Sequence, residues 1–344
     1  MAGVCYKAWV HELPSSTDVA IVGGGFAGAA TAWALARRGV REVVVLEREA
    51  ALGKFASGRS AGLGRQITED DDTTALTVPG ASMLRGLEGV WSETGGLLGF
   101  DHEARAAEAL ARAKRFGVAA QIVERDAVID RWPELGVLQI VHALWVPSDG
   151  AIDVGALLRT LAASARVVLN AGVEHIEPGR VVTSRGAIEA RVIVDASGAW
   201  GGALVGDPPL EALKRHVYVI DAKAKASTPW LWHLGEGELY VRSDASGVLV
   251  SPCDATTVPA GPQEPDPTGE ARLHALLAAT GFSEAAIVKR WACQRTFTSD
   301  RKMRLGRDPQ RSWLVWAVGL GGHGATSAPA VGERVADAVV EALG

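Results

Sequence analysis

Cysteine is scarce in this 344-residue chain, which has only Cys5, Cys253 and Cys293. Three widely separated cysteines make neither a disulfide framework nor a zinc cluster, and a reducing cytoplasm is the expected compartment. Positive charge is not in excess either. Lys+Arg number 35 against 40 Asp+Glu, a formal charge of −5. With no basic run in addition, nucleic acid is not an expected partner. No apolar run reaches the roughly 18 residues of a membrane span. The first 17 residues hold no continuous apolar segment, so no secretory signal is expected in them. What remains is an ordinary globular balance, 48% hydrophobic and 22% charged, which argues against wholesale disorder. At roughly 100–200 residues per domain, the length predicts two domains or one two-lobed unit.

Glycine, by contrast, is plentiful. The 40 glycines concentrate at 23–28, 53–64, 198–206 and 319–324, and three of these clusters follow strand-like apolar runs. A glycine in such a place lets a backbone approach a ligand closely. Residues 18–22 read as a buried strand, 26–38 as a helix closed by Gly39, and 42–47 as a second buried strand. Between the first strand and the helix lies Gly23-x-Gly25-x-x-Gly28, with Phe26 and Ala27 inside the motif. The glycines serve a tight turn and close pyrophosphate approach, and the helix N-terminus offers amide donors to phosphate. Glu47 ends the second strand about 20 residues on, where an acid accepts ribose hydroxyl hydrogen bonds. Strand, glycines, helix, strand and acid occur in register, and dinucleotide binding follows. The acid at 47 disfavours a ribose 2′-phosphate and so disfavours NADP.

Further along, an acidic run at 68–72 reads as a solvated loop or helix start, and 101–116 as an exposed helix. Residues 126–135 read as a short helix stopped by Pro133, and Asp153 as the cap of a helix running to about Ser164. Strands are expected at 143–146, 166–169, 173–177, 180–184, 187–194, 214–222, 238–243, 247–251 and 313–318, and helices at 269–280 and 328–343. Two late strand-to-glycine returns, 192–202 and 313–324, converge on the N-terminal βαβ unit. That arrangement suits a long, extended cofactor.

These residues resemble the FAD-dependent oxidoreductases of the D-amino acid oxidase type, over about residues 18–342. The resemblance rests on the opening βαβ, Val45-Leu46-Glu47-Arg48-Glu49, Ser57-Gly58-Arg59-Ser60-Ala61, Val146 to Asp153, the 192–200 turn, Arg295 to Asp300, and Gly319 to Ala330. It implies an α/β fold in two parts. A Rossmann-like FAD domain with a parallel sheet would comprise 15–75, 140–205 and 305–344. A smaller substrate domain with an antiparallel sheet would comprise 76–139 and 206–304. The implied chemistry is removal of hydride from an amine-bearing carbon of an amino acid, most of all a D-amino acid, onto flavin N5, giving an imine that hydrolyses to a keto acid. An N-methyl or cyclic amino acid oxidase is the alternative. A non-catalytic flavin-binding subunit of a larger complex is the alternative of another class. The electron acceptor, oxygen or quinone, stays open.

Carried over residue by residue, the resemblance implies FAD contacts from Gly23, Gly25, Phe26, Ala27, Gly28, Glu47, Arg48, Arg59, Ser60, Ala61, Gly198, Trp200, Gly321, Gly322, Gly324, Ala325 and Thr326. It implies a carboxylate clamp at Arg295, with Arg215 as a second candidate and Lys214 or His216 as the inward residue if the alignment slips by one. Tyr240 corresponds to a pocket tyrosine, and Arg65 is a candidate near the ring. His323 is read either as an electrostatic tuner or as a residue presenting only its backbone to the flavin. Trp230 and Trp232 are expected in the core. Cys293 corresponds to a residue that bonds flavin covalently in sarcosine oxidase, although non-covalent FAD is the expectation. Leu63 and Thr68 replace pocket residues of D-arginine dehydrogenase, and Ala325-Thr326 replaces a lysine of sarcosine oxidase. Both departures leave the substrate open.

Overall fold

The computed structural model describes residues 12–344, and Cys5 lies outside the described residues. The opening βαβ forms as the pattern predicts, with strand Ser16–Val22, helix Phe26–Arg37 and strand Val43–Leu46. Val19 to Val22 and Val43 to Leu46 are all buried, as expected of strands covered on both faces. Gly28 is what lets the helix sit so close to the first strand. A Cβ at this position would stand 2.0 Å from the Gly23 carbonyl oxygen.

The first sheet has eight strands. Arg166–Val168, Val43–Leu46, Ser16–Val22, the C-terminal part of Gly186–Asp195 and Leu314–Val318 run parallel. Strands Val173–Glu177 and Arg180–Thr183 extend the sheet antiparallel from Gly186–Asp195, and Arg304–Arg307 pairs antiparallel with Leu314–Val318. The last helix, Gly324–Leu343, shares a core with the first strand and first helix through Leu35, Val331, Val335 and Val339.

A second sheet has nine strands and carries the second large core. Its long pair, Glu211–Ile220 with Ile287–Phe297, is antiparallel, and so are most of its other ladders. One ladder departs from the expected antiparallel pattern, because Gly96–Phe100 runs parallel to Trp230–His233. Strand His142–Val146, grouped by sequence with the first sheet's segment, pairs with Gly96–Phe100 and Gln121–Glu124 in the second sheet. Its alternating inward residues Ala143 and Trp145 belong to the second core, while Leu144 and Val146 pack against Trp230 and Leu98 on the other face.

Helix Asp71–Arg85 is the main element that the sequence reading did not anticipate beyond its start. Three threonines, Pro79 and Gly80 within it are poor helix formers. Tertiary bonds make up for this, with Asp70 capping Thr73 N–H at 2.7 Å and the Thr77 hydroxyl donating to the Gln66 carbonyl at 2.6 Å. Pro133 does not stop the preceding helix, which ends at Ile129, but opens a 3₁₀ turn at Pro133–Leu135. Among the described residues, no helix is long and apolar enough to cross a membrane.

Candidate active site

One elongated cavity of about 740 Å³ runs from the glycine motif to the face of the second sheet. At one end it is lined by Gly23, Gly25, Phe26, Ala27, Glu47, Arg48, Gly198 and Trp200. Ser60, Ala61, Arg65, Gly321, Gly322, His323, Gly324, Ala325 and Thr326 line its middle, and Arg215, Tyr240, Cys293 and Arg295 line it on the second sheet.

The residues at the first end fit a dinucleotide. Two helix N-termini, at Phe26 and Gly324, open on the cavity with their amides. A Cβ at Gly25 would meet only the Ser57 hydroxyl, at 3.0 Å, and would otherwise fill the cradle. Glu47 accepts the N–H of Gly24 at 2.8 Å through Oε2 and that of Glu49 at 2.9 Å through Oε1. Burial holds its carboxyl above the ordinary range despite these two donors. Asp195 fixes the opposing turn by accepting the amide and hydroxyl of Ser197 at 3.0 and 2.6 Å and the Gly202 N–H at 3.1 Å. The Arg48 guanidinium lies 3.6 Å over Trp200 and 4.8 Å over Phe55.

Two of the expected contacts are placed elsewhere. Arg59 does not border the cavity. Its guanidinium is engaged by the carbonyls of Gln263 and Ala292, the latter at 2.8 Å, so it ties the glycine-rich loop to the second sheet. Gly28 lies beneath the cavity in the helix–strand contact.

Strand alternation settles which residue of the Lys214–His216 run faces inward. Arg215 enters the cavity, while Lys214 pairs with Asp266 at 2.6 Å and His216 packs behind against Asp254. Arg215 donates to the carbonyls of Asp254 at 3.0 Å and Cys253 at 3.1 Å. Arg295 donates to the same Asp254 carbonyl at 3.3 Å, and its buried Nε has no hydrogen-bond partner among the described residues. Among the described residues neither guanidinium has a carboxylate within 4.0 Å. Burial, and then the neighbouring Arg215, pull Arg295 down to about 10, so both remain charged near neutral pH. Burial pushes the Tyr240 phenol up, leaving it a neutral hydrogen-bonding group.

His323 is pushed down to about 4 by burial, with Arg65 acting in the same direction and Glu69 opposing. Its imidazole is therefore neutral at neutral pH. Arg65 donates to Glu69 at 2.9 Å and to the Ile67 carbonyl at 2.7 Å, and lies 4.7 Å over Trp232. Trp230 is fully buried, as expected, but Trp232 walls the cavity at 5.2 Å from Tyr240. Leu63 lines the cavity, whereas Thr68 is buried against Thr74. Burial raises both Cys253, to about 12, and Cys293.

Sequence reasoning missed Ser57, Glu69, Glu238 and Gln294, all of which border the cavity. Ser57 accepts the Phe26 N–H at 2.9 Å, and Glu238 accepts from the Trp232 indole at 2.8 Å. Ser57 lay within a glycine cluster already singled out, and Gln294 next to Arg295. Glu69 belongs to the acidic run 68–72, which reads from sequence as a solvated loop or helix start but here turns Glu69 onto the cavity, and Glu238 carried no local signal.

A parallel sheet with a glycine turn, a buried acid after its second strand and two helix N-termini, joined to a mainly antiparallel sheet over one cavity, defines a dinucleotide-dependent oxidoreductase. The chain belongs to the FAD dependent oxidoreductase (DAO) family, whose model matches residues 18–338, and FAD is its cofactor. It is 30% identical to glycine oxidase from Geobacillus kaustophilus over 361 residues, covering 94% of this chain and 92% of that protein. The solved structure of glycine oxidase from Geobacillus kaustophilus superposes with a TM-score of 0.80 at 26% identity, covering 95% of each chain. L-proline dehydrogenase from P. horikoshii shares the fold, with a TM-score of 0.87 at 21% identity over 96% of this chain and 94% of that one. Mitochondrial dimethylglycine dehydrogenase of Mus musculus is 29% identical over 276 residues. This match covers 71% of the chain but only 31% of that larger relative.

Proposed function

We propose that the protein oxidises the amine-bearing carbon of an amino acid, with the substrate carboxylate held by Arg295 and Arg215. One observation carries this reading. Two guanidiniums converge on one backbone carbonyl at the cavity wall, and among the described residues no carboxylate lies within 4.0 Å of either. A buried charge without a partner is costly, and a planar guanidinium takes a carboxylate through two parallel hydrogen bonds. A substrate carboxylate supplies the missing charge. When bound, FAD supplies the two-electron acceptor for the amine carbon. The residues at the first end of the cavity would hold its dinucleotide part, and those around 60–65 and 321–326 its ring.

The chain's own contribution is then positioning and exclusion of water. The arginines fix the far end of the substrate. Tyr240, neutral and buried beside Arg215, offers a hydrogen bond without a charge, and Trp232 walls the adjoining space. His323, also neutral, sits on the glycine turn without adding charge there. A D-amino acid is the substrate class we favour, on the resemblance of the Arg295 and Tyr240 positions to the carboxylate clamp and pocket tyrosine of the D-amino acid oxidoreductases. The names of the relatives, glycine oxidase and dimethylglycine dehydrogenase, support a second reading, a small or N-methylated amino acid.

The test is anaerobic bleaching of the flavin by a panel of D-amino acids, glycine, sarcosine and L-proline, repeated with oxygen to separate oxidase from dehydrogenase. Bleaching by amino acids and not by the matching amines lacking a carboxylate is the expected result. No bleaching by any member would favour a non-catalytic flavin-binding subunit.

A further inference from the structure

The corner that holds the two arginines carries an acid of its own. The chain turns sharply at Cys253, which adopts a left-handed φ of 51°. The carbonyls of Cys253 and Asp254 face the guanidiniums, but the Asp254 carboxylate does not. It is turned away onto His216. Oδ1 accepts the His216 backbone N–H at 2.8 Å, and Oδ2 lies 2.8 Å from Nδ1. On the other side of the ring Nε2 lies 3.2 Å from the Asp266 backbone N–H, which it accepts in the tautomer that donates from Nδ1 to Asp254. His216 is 2% exposed and Arg215 4%.

The arrangement has a physical logic. A carbonyl orients a guanidinium without neutralising it, whereas a carboxylate on the same residue would neutralise it and compete with the ligand. Resting on the reading of Arg295 and Arg215 as a carboxylate clamp, we propose that His216 is a positioning residue, a latch that holds the Asp254 carboxylate off the two arginines and so keeps the clamp open for substrate. Lys214 and Asp266, the other charged groups at this face, pair with each other at 2.6 Å, and the same Asp266 Oδ2 lies 3.5 Å from His216 Nε2, on the side of the ring away from Asp254.

The latch makes a prediction that a merely structural role does not. In the flavin-loaded protein, His216→Leu removes the Nδ1 contact and leaves only the backbone N–H on Oδ1, so the Asp254 carboxylate is free to turn Oδ2 toward the arginines. Affinity for benzoate, used as a simple carboxylate probe and read by flavin absorbance and calorimetry, is expected to fall about tenfold or more, the scale of a misaligned binding group. Binding of benzamide, which lacks the charge, stays unchanged. Adding Asp254→Ala removes the competitor but keeps both backbone carbonyls, so the double variant His216→Leu/Asp254→Ala recovers most of the lost benzoate affinity. Asp254→Ala alone, which does not depend on His216→Leu folding, binds benzoate as well as the parent or better. His216→Asn, which keeps a donor near the Nδ1 position, behaves as the parent. A double variant as weak as His216→Leu, or weak benzoate binding by Asp254→Ala in protein with normal flavin content, overturns the latch. Unchanged benzoate binding in Arg295→Ala and Arg215→Ala instead overturns the clamp on which it rests, and the two failures are thereby distinguished.

Discussion

Arg215 and Arg295 reach the Asp254 carbonyl from adjacent strands, at 3.0 and 3.3 Å, so two like charges share one neutral acceptor. Their strands pair in register, with Arg215 opposite Cys293 and Arg295 opposite Leu213, so the guanidiniums are held two residues apart along the ladder on a rigid support. An anion entering the cavity that both line would relieve the repulsion between them.

Arg295→Ala is therefore expected to raise the substrate KM on the order of 30-fold, as for loss of a buried charge contact of about 2–4 kcal/mol. Flavin content should stay normal. Arg295→Lys should recover little, because an ammonium fixes neither the plane nor both oxygens of a carboxylate. Steady-state kinetics beside the flavin absorbance ratio make the check. An unchanged KM in Arg295→Ala would move the clamp to Arg215.

Gly25→Val should give protein without flavin. The added side chain projects into the cradle between Ser57 and the open cavity, where the dinucleotide must pass close to backbone. The measurement is the absorbance of purified, folded protein near the flavin bands. Full flavin content in a well-folded variant would refute the assignment of this cradle.

Acid precipitation should leave the yellow colour in the supernatant. Cys293 lines the cavity, but burial raises its thiol above the usual range, and the reactive form of cysteine is the thiolate. A yellow pellet would show a covalent bond. Cys293→Ser would then be expected to abolish it.

Asp149 gives a prediction on stability. It is fully buried, its Oδ1 accepts the Gln66 backbone and side-chain N–H groups at 3.0 and 2.9 Å, and its Oδ2 has no partner. Burial, opposed by the Gln66 bonds, pushes it up to about 7. An unfolded aspartate titrates at about 3.9, so the native state holds the proton more tightly than the unfolded one. The Asp149 contribution to stability should then be full below about pH 4 and be lost as pH rises toward 7, by at most about 1.4 kcal/mol per pH unit. Asp149→Asn keeps an acceptor for Gln66 and should flatten this slope in thermal melts between pH 5 and 8. A parent and variant with parallel pH profiles would show that Asp149 does not titrate there.

The first half of the site was legible because its chemistry is local. Gly23, Gly25, Phe26 and Glu47 stand in one short βαβ unit, and backbone geometry alone dictates such residues. The turns at 198–200 and 321–326 were legible as glycine after buried strand. The second half is assembled by pairing between distant strands, so sequence resolved it only through resemblance. Arg215 was ambiguous by one position until the strand's alternation was known. Glu238 and Glu69 reach the cavity from a loop and a helix entrance with no spacing to mark them. The helix Asp71–Arg85 was hidden because its stability comes from side-chain bonds to neighbours, against its own propensity.

The position of strand Gly186–Asp195 has a further consequence. It lies between the chain's first strand and Leu314–Val318, one of its last. The glycine turn that closes over the middle of the cavity follows that late strand directly. During synthesis at about 5–20 residues per second, the early βαβ unit must therefore wait for residues 314–326 before this cavity can close. A ligand held by this cavity can be captured in full only once those residues are made, and a ligand that binds only the folded form draws the equilibrium toward it.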